Sequence, residues 1–405
     1  MERYELPKGW QWRKIGSVCK IVSGSTPKTN IPEYWNGNIL WATPKDLGKL
    51  QTVEIDYTER TITQAGLESC SAQLLPIGSV LLTSRAPIGH LAINTKPMCT
   101  NQGFKNLVPG TEIYNRYLYW TLKFFVKELQ HIGRGCTFEE ISKSLLSSFE
   151  IPVPPLAEQK RIVARIEELT RRVEEVRGLR REAVAEIEQF IQESIGKLLT
   201  GLTQSFMPLK QILIEKPRNG WSPPGNSFAS HGVPVLTLSA VTGFKYDSSK
   251  IKWTSSPTRK DAHYWLKPGE LLITRSNTLE LVGHAAIYDG SPAPCICPDL
   301  IMKMTVDPKK ADVRFIHFWL QTHTVRKYLM TQARGTSGSM KKINQGHVEN
   351  IPVPDIPIHK QHLIVEYLNC LQAKADELKR LQAETEAELA AFTPALLAKA
   401  FRGEL

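Results

Sequence analysis

Ile151-Pro-Val-Pro-Pro-Leu-Ala-Glu-Gln-Lys-Arg-Ile-Val163 decides how this chain is organised, because its opening tetrapeptide returns as Ile351-Pro352-Val353-Pro354. Both copies are followed by a glutamine and an Ile-Val pair: Gln159, Ile162 and Val163 in the first, Gln361, Ile364 and Val365 in the second. Upstream, Gly133-Arg134-Gly135 corresponds to Ala333-Arg334-Gly335, and Ile141-Ser142 to Ile343-Asn344. Further back, Gly78-Ser-Val-Leu-Leu-Thr-Ser84-Arg85 parallels Gly269-Glu-Leu-Leu-Ile-Thr-Arg275-Ser276, and each is followed by Gly-His (Gly89-His90, Gly283-His284). At the front, the run from Gly37 to Gly48 sits against the run from Gly232 to Gly243. Matches in one unbroken order mark a unit used twice, with a period near 200 residues.

Each proline motif opens a long helical pattern. Apolar residues fall at Ile162, Ile166, Leu169, Val173, Val176, Ala183, Ile187 and Phe190, a 3/4 alternation in which Arg180 is the one polar entry. Ile364, Leu368, Leu371, Ala375, Leu378, Leu389 and Phe392 repeat it. Pro154-Pro155 and Pro357 precede these helices, and Gly201 and Gly403 follow them, the places where each residue type marks a helix limit. An apolar stripe of this length needs a partner. The other copy supplies one, antiparallel by connectivity, in a strut on the order of 60 Å at ~1.5 Å per residue. An amphipathic helix lying on its own globular unit is the alternative. The expected fold class is α+β: two mixed α/β domains separated by two long helices forming an antiparallel coiled coil, a pseudo-twofold internal repeat. The expected boundaries are 1–154, 155–201, 202–357 and 358–405. Each globular half should close with one aromatic-rich helix, 115–131 and 312–331, whose rings form core.

The 405 residues carry 51 Lys and Arg against 40 Asp and Glu, a net charge of +11. The helical stretches 155–200 and 358–405 are nearly balanced, whereas 1–154 carries +4 and 201–357 carries +8. A basic excess confined to the globular halves points to a polyanionic partner. No apolar run is long enough for a membrane span and the first residues lack an apolar leader, so a cytoplasmic location is expected. The seven cysteines are scattered without a C-x-x-C pair, which reads as reduced thiols, and Cys295-x-Cys297 has the wrong spacing for a zinc knuckle.

Catalytic motifs are missing: no phosphate-binding G-x-x-x-x-G-K-[ST], no G-x-G-x-x-G, no G-x-S-x-G, no H-E-x-x-H and no Asn-Pro-Pro-aromatic. Pro298-Asp299 with Asp307-Pro308-Lys309 only superficially fits a metal array, and His317 and His323 do not share a helix face. What remains is a set of polar, basic loops placed alike in the halves. The candidate DNA contacts are Lys28, Thr29, Thr43, Lys45, Ser84, Arg85, Arg134 and Lys143 in the first half. In the second they are Arg218, Asn219, Ser239, Lys245, Arg275, Ser276, Arg334, Lys341, Lys342 and Asn344. Arg suits guanine O6/N7, Asn suits adenine N6/N7, and Lys, Ser and Thr hold phosphates.

With its duplicated proline motif, its Ser23-Gly-Ser-Thr-Pro27 turn and its ending Ala400-Phe-Arg-Gly-Glu-Leu405, the chain resembles the DNA-specificity (S) subunit of Type I restriction-modification enzymes over essentially its whole length. The resemblance implies a non-catalytic subunit with two target-recognition domains, each reading one half of a bipartite, asymmetric double-stranded DNA site, held apart by two helical regions. It further implies docking of two methyltransferase subunits and joining of nuclease/translocase subunits. S-adenosylmethionine, ATP and Mg would belong to those partners, with no cofactor in this chain and no membrane. The second copy departs from the pattern at Asp355 to Gln361, which carries two extra residues and lacks the Glu-Gln pair. A coiled-coil scaffold whose globular ends bind proteins is the competing class; a salt-dependent shift with duplex DNA separates the two.

Overall fold

In the computed structural model, which describes residues 4–85, 87–133, 140–223, 231–335 and 340–405, the repeated proline motif is a strand in both halves. Glu150–Val153 pairs antiparallel with Gln11–Lys14, and Pro352–Pro354 with Phe206–Pro208. Proline restricts its predecessor to extended backbone and lacks an N–H, so a two-stranded ribbon with free edges suits it. The ribbon joins the first strand of each half to the segment that leads into its long helix.

The chain divides into two compact units, Met1–Leu179 with Ala383–Leu405, and Arg180–Gln382. In the first, the main sheet runs in the order Cys19–Ser23, Lys105–Pro109, Val80–Leu82, Leu91–Asn94, Glu54–Ile55. In the second, Arg218–Asn219, Ile301–Met304, Leu271–Thr274 and Ala285–Ile287 take the places of the first four. Matching hydrogen bonds fix the correspondence. The N–H of Gly24 donates to Phe104 O and that of Gly220 to Ile301 O, both at 3.2 Å. Ile141 N–H donates to Ser84 O at 2.9 Å and Ile343 N–H to Arg275 O at 3.0 Å. A smaller sheet pairs Trp35–Ala42 with Thr61–Ile62 and Met98–Thr100; its counterpart pairs Val233–Leu236 with Ile251–Thr254.

Where one closing helix is expected in each half, there are two: Asn115–Phe124 and Val126–Gly133, then Val313–Gln321 and His323–Gln332. Thr322 breaks the second pair by turning to ψ 148° while its hydroxyl donates to Trp319 O at 2.7 Å. Tyr117, Trp120, Phe315 and Trp319 are buried, as expected of core rings. Two of them do more than fill space: Tyr117 Oη donates to Pro152 O at 2.9 Å, and Trp319 Nε1 to Pro352 O at 2.6 Å. Each ties the closing helix to the repeated motif.

The long helices run Leu156–Thr200 and Ile358–Arg402. Their repeated glutamines are buried at the junction with the globular half. Gln159 accepts from Tyr114 N–H at 2.8 Å and donates to Glu112 O and Pro154 O; Gln361 accepts from Asp312 N–H at 3.0 Å and donates to Ile356 O. In the first unit Ile162, Val163 and Ile166 share a core with Leu397, Ala400 and Phe401 and with the globular residues Tyr117 and Leu118. Arg161 donates to Leu405 O and Arg177 pairs with Glu386, so the two segments are antiparallel. In the second unit Ile191, Ile195 and Leu199 join Val365, Leu368 and Ala375 on the globular core, with Lys379 2.8 Å from Glu188. Pairing between helices and packing on the globular halves therefore coexist. The seam is also less continuous than its spacing suggests: Val176 is 39% and Phe190 58% exposed.

Candidate nucleic-acid interface

The candidate loops of the first half are gathered by a segment that their charge did not single out, Thr100-Asn101-Gln102-Gly103. Ser25 N–H donates to Thr100 O at 2.9 Å, Thr26 Oγ1 bonds the Gln102 amide, Asn101 N–H donates to Ala42 O at 3.0 Å and Ser84 N–H to Gly103 O at 2.7 Å. Three separate loops thus share one base. A Cβ on Gly24 would sit 1.8 Å from Asn101 O, so this approach excludes any side chain there. In the second half Cys297-Pro298-Asp299-Leu300 does the same. Trp221 N–H donates to Cys297 O, Ser222 Oγ bonds Asp299, and Arg275 N–H donates to Leu300 O. A Cβ on Gly220 would meet Cys297 O at 1.9 Å. Asp299 is thereby part of the loop base, while Asp307 accepts from Lys309 N–H in a turn of its own. Among the described residues no group of His, Cys, Asp and Glu converges as a metal site would.

On this frame the predicted residues separate. Lys28, Thr29, Lys45, Arg85 and Lys143 are exposed in the first half; Arg218, Ser239, Lys245, Arg334, Lys342 and Asn344 are exposed in the second. Arg134 lies outside the described residues. Ser84 and Ser276 are buried and present no hydroxyl to solvent. Thr43 is a helix cap, its N–H and hydroxyl both bonded to Asp46 Oδ2. Asn344 also caps a helix, accepting from His347 N–H at 2.9 Å. Arg275 is half-buried with Nη1 3.5 Å from Asp299 O, Lys341 donates to Gly335 O, and Asn219 pairs beside Arg218 in the edge strand. Lys245 is displaced from this group: it lines a cavity of 680 Å³ with Glu188, Arg314, His317 and Lys379, on the helical side of the second unit.

Two further contacts shape the loops. Arg85 Nε lies 3.0 Å and Lys105 Nζ 3.1 Å from the Glu140 carboxylate. Burial works to raise that carboxyl's pKa, but the hydrogen bonds from Lys105 and Arg85 prevail and hold it below the ordinary value. The repeated Gly-His explains itself as a clamp. His284 Nδ1 accepts from Gly243 N–H at 3.0 Å and its ring stacks on Phe244 at 4.3 Å, while His90 lies against Gly48. Burial, with Arg326 nearby, lowers the His284 pKa from 6.5 to about 4, so the acceptor nitrogen stays unprotonated.

Residues 7–183 and 206–389 match the Type I restriction modification DNA specificity domain, two copies that coincide with the internal repeat. The chain belongs to this specificity family. Its relatives include the MjaIX specificity subunit of Methanocaldococcus jannaschii, 43% identical over 160 residues, which are 39% of this chain and 37% of that protein. The EcoKI specificity subunit of Escherichia coli K12 is 24% identical across 100% of this chain and 91% of its own length. Among solved structures, a chain from work on complex assembly and conformational transition of the type I R-M system superposes with a TM-score of 0.74, at 25% identity and full coverage of both chains. The HsdS subunit from Thermoanaerobacter tengcongensis, at 24% identity and 99% coverage of both, shares the fold with a TM-score of 0.59. As a specificity subunit the chain is the non-catalytic, target-recognising part of a restriction-modification complex, and its target is bipartite. The two gathered loop sets are the parts of this specificity subunit whose framework repeats while its polar side chains do not.

Proposed function

We propose that residues 1–154 and 202–357 each read one half of an asymmetric double-stranded DNA site, using the loops gathered on Thr100–Gly103 and on Cys297–Leu300. The observation that carries this reading is the pairing of identical backbone contacts with unlike side chains. Gly24 and Gly220 make the same bond, yet Arg85 stands where the second half has Ser276, and Glu140 where it has Lys342. Shared framework with divergent donors is what two readers of different base sequences require, since phosphate contacts position a protein and base contacts specify. Exposed Lys28 in the first half and exposed Arg334 and Lys342 in the second supply positive charge beside these loops.

The helical regions 155–201 and 358–405 set the unread gap between half-sites and dock two methyltransferase subunits, which nuclease/translocase subunits join. Leu179, Phe190, Leu363 and Tyr367 support this, being 58–64% exposed on the long helices, where large apolar side chains otherwise seek cover. S-adenosylmethionine, ATP and Mg act in those partners. Among the described residues no helix is long and apolar enough to cross a membrane. The test is methylome sequencing of a host that expresses this subunit with its methyltransferase. One bipartite motif with unlike halves and a fixed gap is expected; a palindromic or continuous motif would overturn the reading.

A further inference from the structure

Two tryptophans of the first half hold the Ser23–Asn30 turn from beneath. Trp41 Nε1 donates to Ser25 O at 3.0 Å and Trp35 Nε1 to Lys28 O at 3.2 Å. The rings meet edge to face at 5.0 Å and 85°, and both are buried. On their outer side lies Arg60, exposed, its guanidinium carbon 3.7 Å from the centroid of Trp35 and 5.2 Å from that of Trp41. Its backbone is fixed as well: Arg60 O accepts from Trp41 N–H at 3.2 Å and from the Thr58 hydroxyl at 2.7 Å. The adjacent carboxylate is engaged elsewhere, with Glu59 within 3.0 Å of Lys45 and 3.4 Å of Lys49. Among the described residues Arg60 has no acidic partner.

A guanidinium stacked on an indole keeps its charge and its in-plane N–H fork while losing most of its rotational freedom. Such a donor binds acceptor oxygens without first having to be ordered. Nothing in composition or in the repeat marks Arg60, since its importance comes from Trp35, twenty-five positions away, and from the turn that Trp35 holds. We propose that Arg60, laid over Trp35 beside the Ser25–Lys28 backbone, is a DNA-contacting residue of the first half that donates its fork to paired acceptors, either guanine O6/N7 or a phosphate. This rests on the reading of the Ser23–Asn30 turn as DNA-facing.

The experiment uses the full chain in complex with its methyltransferase subunits and a duplex bearing the motif found by methylome sequencing. Arg60→Ala, Arg60→Gln and Arg60→Lys are titrated across a salt series, with Lys28→Ala as the reference. If the fork reads guanine, all three Arg60 variants relax one position in one half-site and weaken cognate binding roughly ten- to a hundredfold. If it holds a phosphate, Arg60→Ala and Arg60→Gln weaken every duplex alike and lower the salt slope by about one, while Arg60→Lys restores both. Arg60→Gln retains a stem over the ring should Arg60→Ala fail to fold. Lower melting temperatures with unchanged affinity, slope and motif would overturn the proposal, leaving Arg60 as a cover for the tryptophans. If Lys28→Ala were equally silent, the DNA-facing reading of the turn would fall with it.

Discussion

The two halves place their ion pairs differently on the same backbone. In the second half Lys303 and Glu270 meet at 2.7 Å inside the sheet, 6% and 4% exposed. The corresponding positions of the first half are Asn106 and Ser79, where Asn106 instead donates to Val22 O and Thr100 Oγ1. Conversely, the first half has its ionic cluster at the foot of the loops, Arg85 and Lys105 on Glu140, where the second half has Ser276, Met302 and Lys342. Moving the carboxylate from the loop base to the interior leaves Lys342 without an acidic partner among the described residues. The framework of a recognition domain thus tolerates relocation of its charges, and relocation changes what DNA meets.

Exchanging the halves gives the largest effect. Replacing residues 1–150 by those of another specificity subunit should change one half-site of the methylated motif completely and leave the other intact; a change in both would show that the halves do not read independently. Next in size is the buried pair. Glu270→Gln or Lys303→Met alone strands a charge or a donor in the sheet and should cost ~3–5 kcal/mol in chemical denaturation. The double variant Glu270→Ser with Lys303→Asn, which imports the first half's solution, should recover part of it. Equal losses in single and double variants would mean that the halves are not interchangeable even at this depth.

At the loops, loss of a base-reading Arg275 or Arg334 should cost ~1–3 kcal/mol of binding and relax one position. Lys342→Ala should lower the salt slope by about one, more than Arg85→Ala, because Glu140 already neutralises part of Arg85. Unchanged binding after substitution of Arg85, Arg134, Arg275 and Arg334 together would remove these loops from the interface. The smallest effect concerns pH. The folded state holds the His284 pKa near 4 against 6.5 for the free side chain, so between those values the unfolded chain binds the extra proton. Stability from this clamp is therefore complete above about pH 6.5 and lost as pH falls toward 4. His284→Asn, which can still accept from Gly243, should flatten that part of the melting-temperature profile.

The long helices, their capping prolines and glycines, and the duplicated order were legible because each depends on local spacing. The break at Thr322 was not, since helical periodicity continues through it and only the threonine's bond back to Trp319 ends the turn. Nor was the exposure of Val176 and Phe190, for spacing specifies an apolar face without saying what covers it. Among the site residues chosen for their charge, Lys28, Arg85 and Arg334 are exposed. Hydrogen-bonding residue type selected Thr43 and Asn344, which suit a helix cap as well as a DNA contact, and Ser84 and Ser276, which face inward. The loop bases Thr100–Gly103 and Cys297–Leu300 act through backbone carbonyls and amides, which no side-chain pattern announces. Gly220 and Trp221 take the places of Gly24 and Ser25 through matching backbone bonds, which only the fold displays.

The composition of the first unit bears on how the chain is made. Its core includes Leu397, Ala400 and Phe401, with Phe401 5.5 Å from Tyr117 and its carbonyl accepting from Tyr4 Oη at 2.8 Å. Residues from both ends of the chain therefore meet in one hydrophobic interior. During synthesis the second unit, continuous from Arg180 to Gln382, has all of its residues before the first does. The half that emerges earliest is therefore the one whose core is completed last, and a chain cut before Ala383 lacks Leu397, Ala400 and Phe401 from that core.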